Sequence, residues 1–475
     1  MTIKSIEVEA TIEQVKSMMA AEEGLSPALK ASLDVLLLLV TLLMNRLGLN
    51  SRNSSRPPST DPNREKKARN GSDRKPGGQQ GHNGKTLQQV ADPDEVKIFK
   101  VDRSLLPDNG SYREVGYEIR QVIDLDITKV VTEYRAQVLE DSAGNRYVAP
   151  FPDGVTRPVQ YGTGVKVNSV YMSQFQLTPY NRIEDHFLDQ MEIPVSAGSI
   201  FNFNQEAYER LEYFEEWVKR CLAASMILHV DETGINIDGK RNWLHSASNE
   251  GFSYFYPHSR RGGEALDEMG ILSEFNGVLC HDHWKPYYNY GCSHALCNAH
   301  HLRELERAFE QDKQLWAQKM TELLKEINRA TQEAGGSLDM ATSEGYRKRY
   351  RDLLKEAQGE CPAPDEIDRK GSRGKLARSK ARNLLERLVD YEDDVLRFMV
   401  EAEVPFSNNQ AENDIRMTKV QQKISGCFRS LEGAKIFCRI RSYLSTCRKQ
   451  NLTASESLRL LFKGESPPFM VDPVP

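Results

Sequence analysis

Apolar residues are spaced differently in successive stretches of the chain. Over residues 1–49 the spacing is helical: Leu36, Val40, Leu43 and Leu47 fall at i, i+4, i+7 and i+11, which is one face of a helix. The face suits packing on a neighbouring helix or a short dimerising coil, and it covers too few heptads to establish the coil. From 50 to 95 apolar residues nearly vanish, and Ser, Pro, Gly and cations run from Asn50 through Thr60 to His82. Such a stretch cannot bury a core and reads as a flexible basic linker.

Between 96 and 160 the pattern alternates as in strands, over Val96–Val101, Glu118–Ile123, Val130–Val138 and Arg146–Ala149, with Gly and Asn between them. This predicts a small β module. Residues 161–220 read as helices that connect it onward or bind DNA, with a start signal from Val195 to Ser199. Residues 221–305 predict the strands Met226–Val230, Asn242–Ser248, Phe252–Pro257, Gly277–Cys280 and Ala295–Asn298, with a turn at Asn249-Glu250-Gly251 and a short helix before the fourth strand. Residues 306–400 are charged helices broken at Gly335-Gly336, Pro362–Pro364 and Gly371–Gly374. Residues 401–450 carry a last helical stretch from Asn409 to Arg448, and 451–475 form a tail. Three strands, a helix, a strand and then helices is the order of an RNase H-like α/β core. In that topology the first and fourth strands bring their acidic residues side by side, and a later helix supplies a third, even across a large helical insertion. The expectation is therefore a multidomain α+β chain with such a core.

Charge sharpens this picture. The net charge is −5, yet ten Lys/Arg face three Asp/Glu from Arg46 to Lys85, eight face one from Arg369 to Arg387, and nine face three from Glu412 to Lys449. One such block is usually a solvated surface. Three of them on an acidic chain point to local contacts with a polyanion, nucleic acid first. The strongest apolar run, Val35 to Met44, is short of the roughly 20 residues of a membrane span. No signal peptide is evident, and the eight cysteines are scattered, which together suit a reducing cytoplasm and free thiols.

Three motifs carry the chemistry. His229-Val230-Asp231-Glu232-Thr233 and His281-Asp282-His283-Trp284-Lys285 each place a carboxylate at the end of an apolar strand. Asn408-Asn409-Gln410-Ala411-Glu412-Asn413-Asp414 opens a helix. Two strand aspartates and a helical carboxylate suit two hard ions, Mg²⁺ or Mn²⁺, which take oxygen ligands and together drive phosphoryl transfer. Glu232 should face the opposite side of the sheet from Asp231, by strand alternation, and His281 and His283 should face away from Asp282. Glu412 and Asp414 compete for the third ligand position. Glu412 shares its helix face with Arg416, Lys419 and Lys423, which reads either as a surface ion-pair ladder or as a row of phosphate contacts. His281, His283, Cys292, His294, Cys297, His300 and His301 invite a zinc reading, but their spacing fits no finger. His300 or His301 near the carboxylates, holding phosphate or water, is the better expectation, and no zinc is expected.

The chain resembles transposases of the insertion-sequence-sixty-six family of bacterial mobile elements. The segment from Asn50 to Asp61 and Gly77-Gly78-Gln79-Gln80-Gly81-His82 are similar to the family's N-terminal signatures. The most specific match is Asn408 through Arg416, Lys423 through Ser430, and Arg441 through Thr446. The resemblance spans nearly the whole chain. It implies a Mg²⁺-dependent enzyme with an Asp-Asp-Glu set on Asp231, Asp282 and Glu412. Such an enzyme frees a 3′-OH at the element end and joins it to target DNA. Family members usually carry paired Cys-x-x-Cys zinc knuckles after the Gly-Gly-Gln-Gly-His segment. Here residues 96–160 hold no cysteine, and Ser104–Pro107 and Glu140–Gly144 stand in those places, so a metal-free module is expected. The partners implied are duplex DNA, a second copy of the chain, and accessory proteins from the same element. Arg52, Arg56, Lys66, Lys67, Arg416, Lys419, Lys423 and Arg429 are the expected phosphate contacts. The competing readings are a catalytically idle DNA-binding relic that represses or assists an active relative, and a nuclease that cuts without joining.

Overall fold

The computed structural model describes residues 5–22, 24–47, 49–50, 52–54, 61, 63, 87–108, 110–364 and 378–470. Arg56, Lys66, Lys67 and the Gly77–His82 segment lie outside the described residues. In chain order the elements are α1 (Ser5–Ala21), α2 (Pro27–Leu47), β1 (Val138–Glu140), β2 (Arg146–Val148), α3 (Thr163–Val170), α4 (Tyr180–Met191), α5 (Ala197–Arg210) and α6 (Glu212–Ala223). They continue with β3 (Ile227–Ile237), β4 (Lys240–Ser248), β5 (Ser253–His258), α7 (Gly263–Met269), β6 (Val278–His281), β7 (Ser293–Leu296), α8 (Asn298–Glu310), α9 (Leu315–Glu333) and α10 (Met340–Glu360). The last are α11 (Lys380–Asp390), α12 (Glu392–Leu396), α13 (Asn409–Ser425), α14 (Leu431–Lys449) and α15 (Ala454–Lys463).

The N-terminal region departs from expectation in several ways. α1 packs on α2, but the buried side chains are Met19 and Leu37; Leu36, Leu43 and Leu47 are exposed. The face read from the sequence is thus not the one that packs. The helical character expected of 1–49 is met by α1 and by α2, which starts at Pro27. Its Pro27–Met44 stretch is 18 residues with mean hydropathy 1.9, long and apolar enough to cross a membrane by length and composition. The reading from Val35 alone was too short. Asn53 is not free chain: it is 2% exposed and donates to Glu310 at the end of α8 at 2.7 Å. Among the described residues of 87–160, only β1 and β2 pair, as an antiparallel hairpin. The other expected strands have no ladder, and their side chains (Phe99, Ile119, Val122, Val130) remain exposed. Alternation gave them a strand-like pattern, but no second layer covers an apolar face.

The main sheet has the order β5-β4-β3-β6-β7. β3, β4 and β5 are antiparallel, and β6 and β7 run parallel to β3. All five strands expected over 221–305 are present, with the short helix α7 before the fourth. β3 is longer than expected. It runs past Asp231 to a two-residue turn at Asp238 and Gly239, both with positive φ (50° and 70°), as the right-handed twist of a tight hairpin favours.

Each side of the sheet has its own core. Leu228, Val230, Ala247 and Leu279 join Phe214, Trp217 and Val218 of α6 and Ile440, Tyr443 and Leu444 of α14. Cys280, Ala295 and Leu296 join Leu305, Trp316, Leu324, Tyr350 and Leu385 of the helices from α8 to α12, which cover the β6–β7 end of the sheet. A third cluster, with Ile235, Ile237, Ile415, Phe428 and Phe437, closes the tip of the β3–β4 hairpin under α13 and α14.

Candidate active site

The site forms where β3 leaves β6. Their parallel pairing ends at His229↔Cys280, while β3 continues on β4 alone. Asp231, within β3, and Asp282, the residue just past the end of β6, each lie two residues beyond that last pair. Each carboxylate accepts a local backbone N–H: Asp231 Oδ1 from Glu232 at 2.9 Å and Asp282 Oδ1 from Trp284 at 3.1 Å. Between Asp282 and Trp284 the chain reverses through His283, whose φ of 72° is uncommon for a residue with a side chain. That turn ends β6 and opens the sheet edge.

α13 delivers the third carboxylate. It lies along β3 and is tied to it at three heights. At its start, the buried Asn408 donates from Nδ2 to the Val230 carbonyl at 2.8 Å and receives His229 Nδ1 on Oδ1 at 2.7 Å. Midway, Lys419 Nζ donates to the Gly234 carbonyl at 2.7 Å. Past its end, Phe428 N–H donates to Asn236 O at 3.0 Å, and Asp238 N–H donates to Phe428 O at 2.8 Å. The lengths agree: 17 helical residues (Asn409–Ser425) span about 26 Å, as does β3 from Val230 to Asp238. Glu412, one turn into α13, is thereby held over the open end of the sheet.

Electrostatics show that these groups act on one another. Burial first, then the charges of Glu232 and Asp282, raise the Asp231 pKa to about 7, with Glu412 adding to the effect. Burial opposes protonation of His300, but Cys297, Asp282 and Glu412 outweigh it and lift its pKa to about 9. His300 Nε2 and Arg303 Nη1 each lie 3.8 Å from Glu412 Oε1. That oxygen is buried and has no hydrogen-bond partner among the described residues.

Of the two candidate histidines, only His300 faces Glu412. His301 is 2% exposed and sits 3.1 Å from Asn298 Oδ1, inside the helical layer. Asp414 is turned away from the site. It pairs with Lys449 at 2.8 Å and accepts from Ser253 Oγ at 3.2 Å, joining α13 to α14 and β5. Arg416, Lys423 and Arg429 are exposed, whereas the Lys419 ammonium is already bound to β3. Arg52 is exposed beside the Asn50 turn, remote in sequence from these groups. In the described part of the second basic block, three arginines are engaged within the protein. Arg378 and Arg382 pair with Glu386, and Arg387 grips Glu304 with contacts of 3.0 and 3.1 Å.

Several residues of the site escaped the sequence reading. Glu232 does face away from Asp231, but it is not idle. Its side chain is 1% exposed, pairs with Arg261 and accepts from Tyr287 Oη at 2.7 Å. Burial and then Asp282 raise its pKa. Arg261 in turn lies over the rings of Trp243 (4.9 Å) and Trp284 (4.6 Å), favourable cation–π positions. Alternation predicted where Glu232 points; nothing in the sequence linked it to Arg261. Arg303 could have been found, since it follows His300 by one helical turn.

With this arrangement in view, residues 159–436, more than half of the chain, match the Transposase IS66 family. The chain belongs to that family. Residues 1–88 match a different family, one of unknown function. The N-terminal segments Asn50–Asp61 and Gly77–His82 lie within this second match. No curated protein matches the chain. Membership makes this a transposase-family protein, with the DNA contact and divalent-metal use general to that class. The chemistry of Asp231, Asp282 and Glu412 suits a hard cation: all three are carboxylates, Glu412 has an orphaned oxygen, and burial first and neighbouring charge second raise the Asp231 pKa to about 7.

Proposed function

We propose that this chain is a DNA transposase that cuts at the ends of its element and joins the freed 3′-OH to target DNA, with Asp231, Asp282 and Glu412 as catalytic and metal-holding residues on an RNase H-like core. The observation that carries this reading is the fork between β3 and β6, with an aspartate two residues past it on each branch and Glu412 in the first turn of the helix that Asn408 ties to β3. Strand order, direction and the late helix all agree with that core. Two Mg²⁺ or Mn²⁺ ions bound there would supply the charge that activates the attacking oxygen and stabilises the leaving one.

The chain's own groups do the rest. On binding a cation in this half-buried cleft, Asp231 would release the proton that burial favours on it, and the carboxylates would meet the ion in a setting where their charge attracts it more strongly than in water. His300 and Arg303 offer donors beside Glu412 for a non-bridging phosphate oxygen. Arg416 and Lys423 continue the line of positive charge along exposed α13, and Arg429 follows it. The Glu232–Arg261–Tyr287 network fixes the strand beneath Asp231. No Ser, Tyr or Cys nucleophile is required, because water and the 3′-OH attack in turn. Joining two ends in one event calls for at least two copies of the chain, and work on chromosomal DNA places it in the cytoplasm.

The test is incubation of the purified protein with a labelled element-end duplex and Mg²⁺ or Mn²⁺. Nicked and strand-joined products are expected, and Asp231→Asn, Asp282→Asn and Glu412→Gln should each abolish both while leaving gel-shift affinity in place. Binding without any cut in either metal would overturn the reading in favour of an idle DNA-binding protein. Cutting without joining would restrict it to a nuclease.

A further inference from the structure

We propose that Cys297, His300 and Glu412 form a second cation site, suited to a thiophilic divalent ion such as Zn²⁺, which withdraws Glu412 from the three-carboxylate set. One ligand atom from each residue lies within 4.8 Å of the other two. Around a tetrahedral zinc with bonds of about 2.0–2.3 Å, neighbouring ligand atoms sit roughly 3.3–3.6 Å apart. His300 Nε2 and Glu412 Oε1, at 3.8 Å, are nearly there. The thiol has to approach by about 1 Å at most.

The parts are fixed by the fold. Cys297 is the N-cap of α8, and His300 follows in its first turn, so both project from one rigid element. Glu412 comes from the first turn of α13, whose start is locked to Cys297 by the Asn408 N–H donating to Sγ at 3.1 Å. Glu412 Oε1 is buried without a hydrogen-bond partner among the described residues. Arg303 beside Glu412 opposes a cation there, but its side chain is one-third exposed and can turn outward.

Ligand type separates this site from the carboxylate set. Thiolate and imidazole select Zn²⁺, Co²⁺ and similar ions, whereas Mg²⁺ takes oxygen. Three protein ligands leave a fourth position for water, unlike a closed structural zinc site. Because Glu412 cannot serve both sites, thiophilic ions and Mg²⁺ should exclude one another. That consequence for cleavage rests on the function proposed above; the site itself does not.

The experiment titrates Co²⁺ into the metal-stripped full-length protein and records its absorption. A near-ultraviolet thiolate-to-cobalt band with four-coordinate visible bands is expected. The spectrum should vanish in Cys297→Ser and in His300→Gln, and persist in Cys427→Ser, whose cysteine is exposed and elsewhere. In Mg²⁺-supported end cleavage, Zn²⁺ should inhibit, added Mg²⁺ should relieve the inhibition, and Cys297→Ser should need about tenfold more Zn²⁺ or more for the same fractional loss. No cobalt–thiolate band, or one that survives Cys297→Ser, overturns the site. A Cys297-dependent band in a protein that never cuts would sink the transposase chemistry and leave the site standing. Cleavage inhibited equally in wild type and Cys297→Ser would leave the transposase chemistry standing and overturn the withdrawal of Glu412 by this site.

Discussion

Asp231 is a weak acid by position. Its burial and its carboxylate neighbours favour the neutral form, so its pKa rises from the usual 3.8 to about 7. A carboxyl whose folded pKa lies above its unfolded value contributes stability that is fully present below the unfolded pKa and is lost as pH rises through the folded one. The metal-free protein should therefore lose a few kcal/mol between about pH 4 and pH 7 on this account. Asp231→Asn should flatten that slope and raise the Tm in chelator at pH 8. Melts at pH 5, 6, 7 and 8 decide it, and parallel profiles for both proteins would refute the assignment. Asp414 makes the contrasting case on the same helix. Asp414→Asn should keep cleavage, because its carboxylate meets Lys449 and Ser253 and not the site. It should cost about 1–2 kcal/mol in urea unfolding, since a half-buried cation loses its counter-charge. Cleavage lost in Asp414→Asn at unchanged stability would mean that the third ligand was chosen wrongly.

At the scale of elements, the site depends on how α13 is attached to β3. Asn408 touches the peptide that leads into Asp231, the ring of His229 and the thiol of Cys297, and its carbonyl accepts the Glu412 N–H at 3.4 Å. Asn408→Ala should lower the cleavage rate at saturating metal about tenfold or more and raise the metal concentration needed for half-maximal rate, at constant DNA affinity. Asn408→Asp should be as poor, because it cannot donate to the Val230 carbonyl. A purely structural role would lower the Tm and leave the metal dependence of the folded fraction unchanged. Here the limits of sequence reading become concrete. Asn408 and Glu412 stand out in one motif, and the strand order of 221–305 was legible from periodicity and turn residues. The function of Asn408 was not, because its partners Val230 and His229 lie nearly two hundred residues away, and only the closed sheet edge brings them together. The same holds for Arg261 under Glu232. The extension of β3 was hidden because beyond Asp231 its burial depends on the hairpin with β4, whose Asp238-Gly239 turn was overlooked.

For the whole molecule, the distribution of positive charge decides how DNA can be held. Runs of Lys and Arg look alike in a sequence, yet the fold uses them in opposite ways. Arg382 is buried and bonded to Glu386, Gln358 and the Cys361 carbonyl, and Arg387 is committed to Glu304. These cations hold the helical layer together and are neutralised within it. Arg416, Lys423 and Arg429 carry no such internal bond in their described surroundings and lie exposed along α13 and just beyond it. Each phosphate contact released by mutation should reduce the slope of log K against log salt by about 0.9. Replacing Arg416, Lys423 and Arg429 together with Gln should then flatten the slope by roughly 2 to 3 and weaken binding to any duplex sequence alike. Arg382→Gln and Arg387→Gln should leave the slope as it is. Arg382→Gln should lower stability by about 2 kcal/mol, because Glu386 and the Cys361 carbonyl lose a buried partner. Arg387→Gln should lower it by about 0–1 kcal/mol, because Glu304 is 42% exposed and screened by water. Filter binding across a salt series, paired with urea melts, separates the two classes. A slope that responds to Arg387→Gln and not to the α13 triple variant would mean that DNA lies across the helical layer rather than along α13.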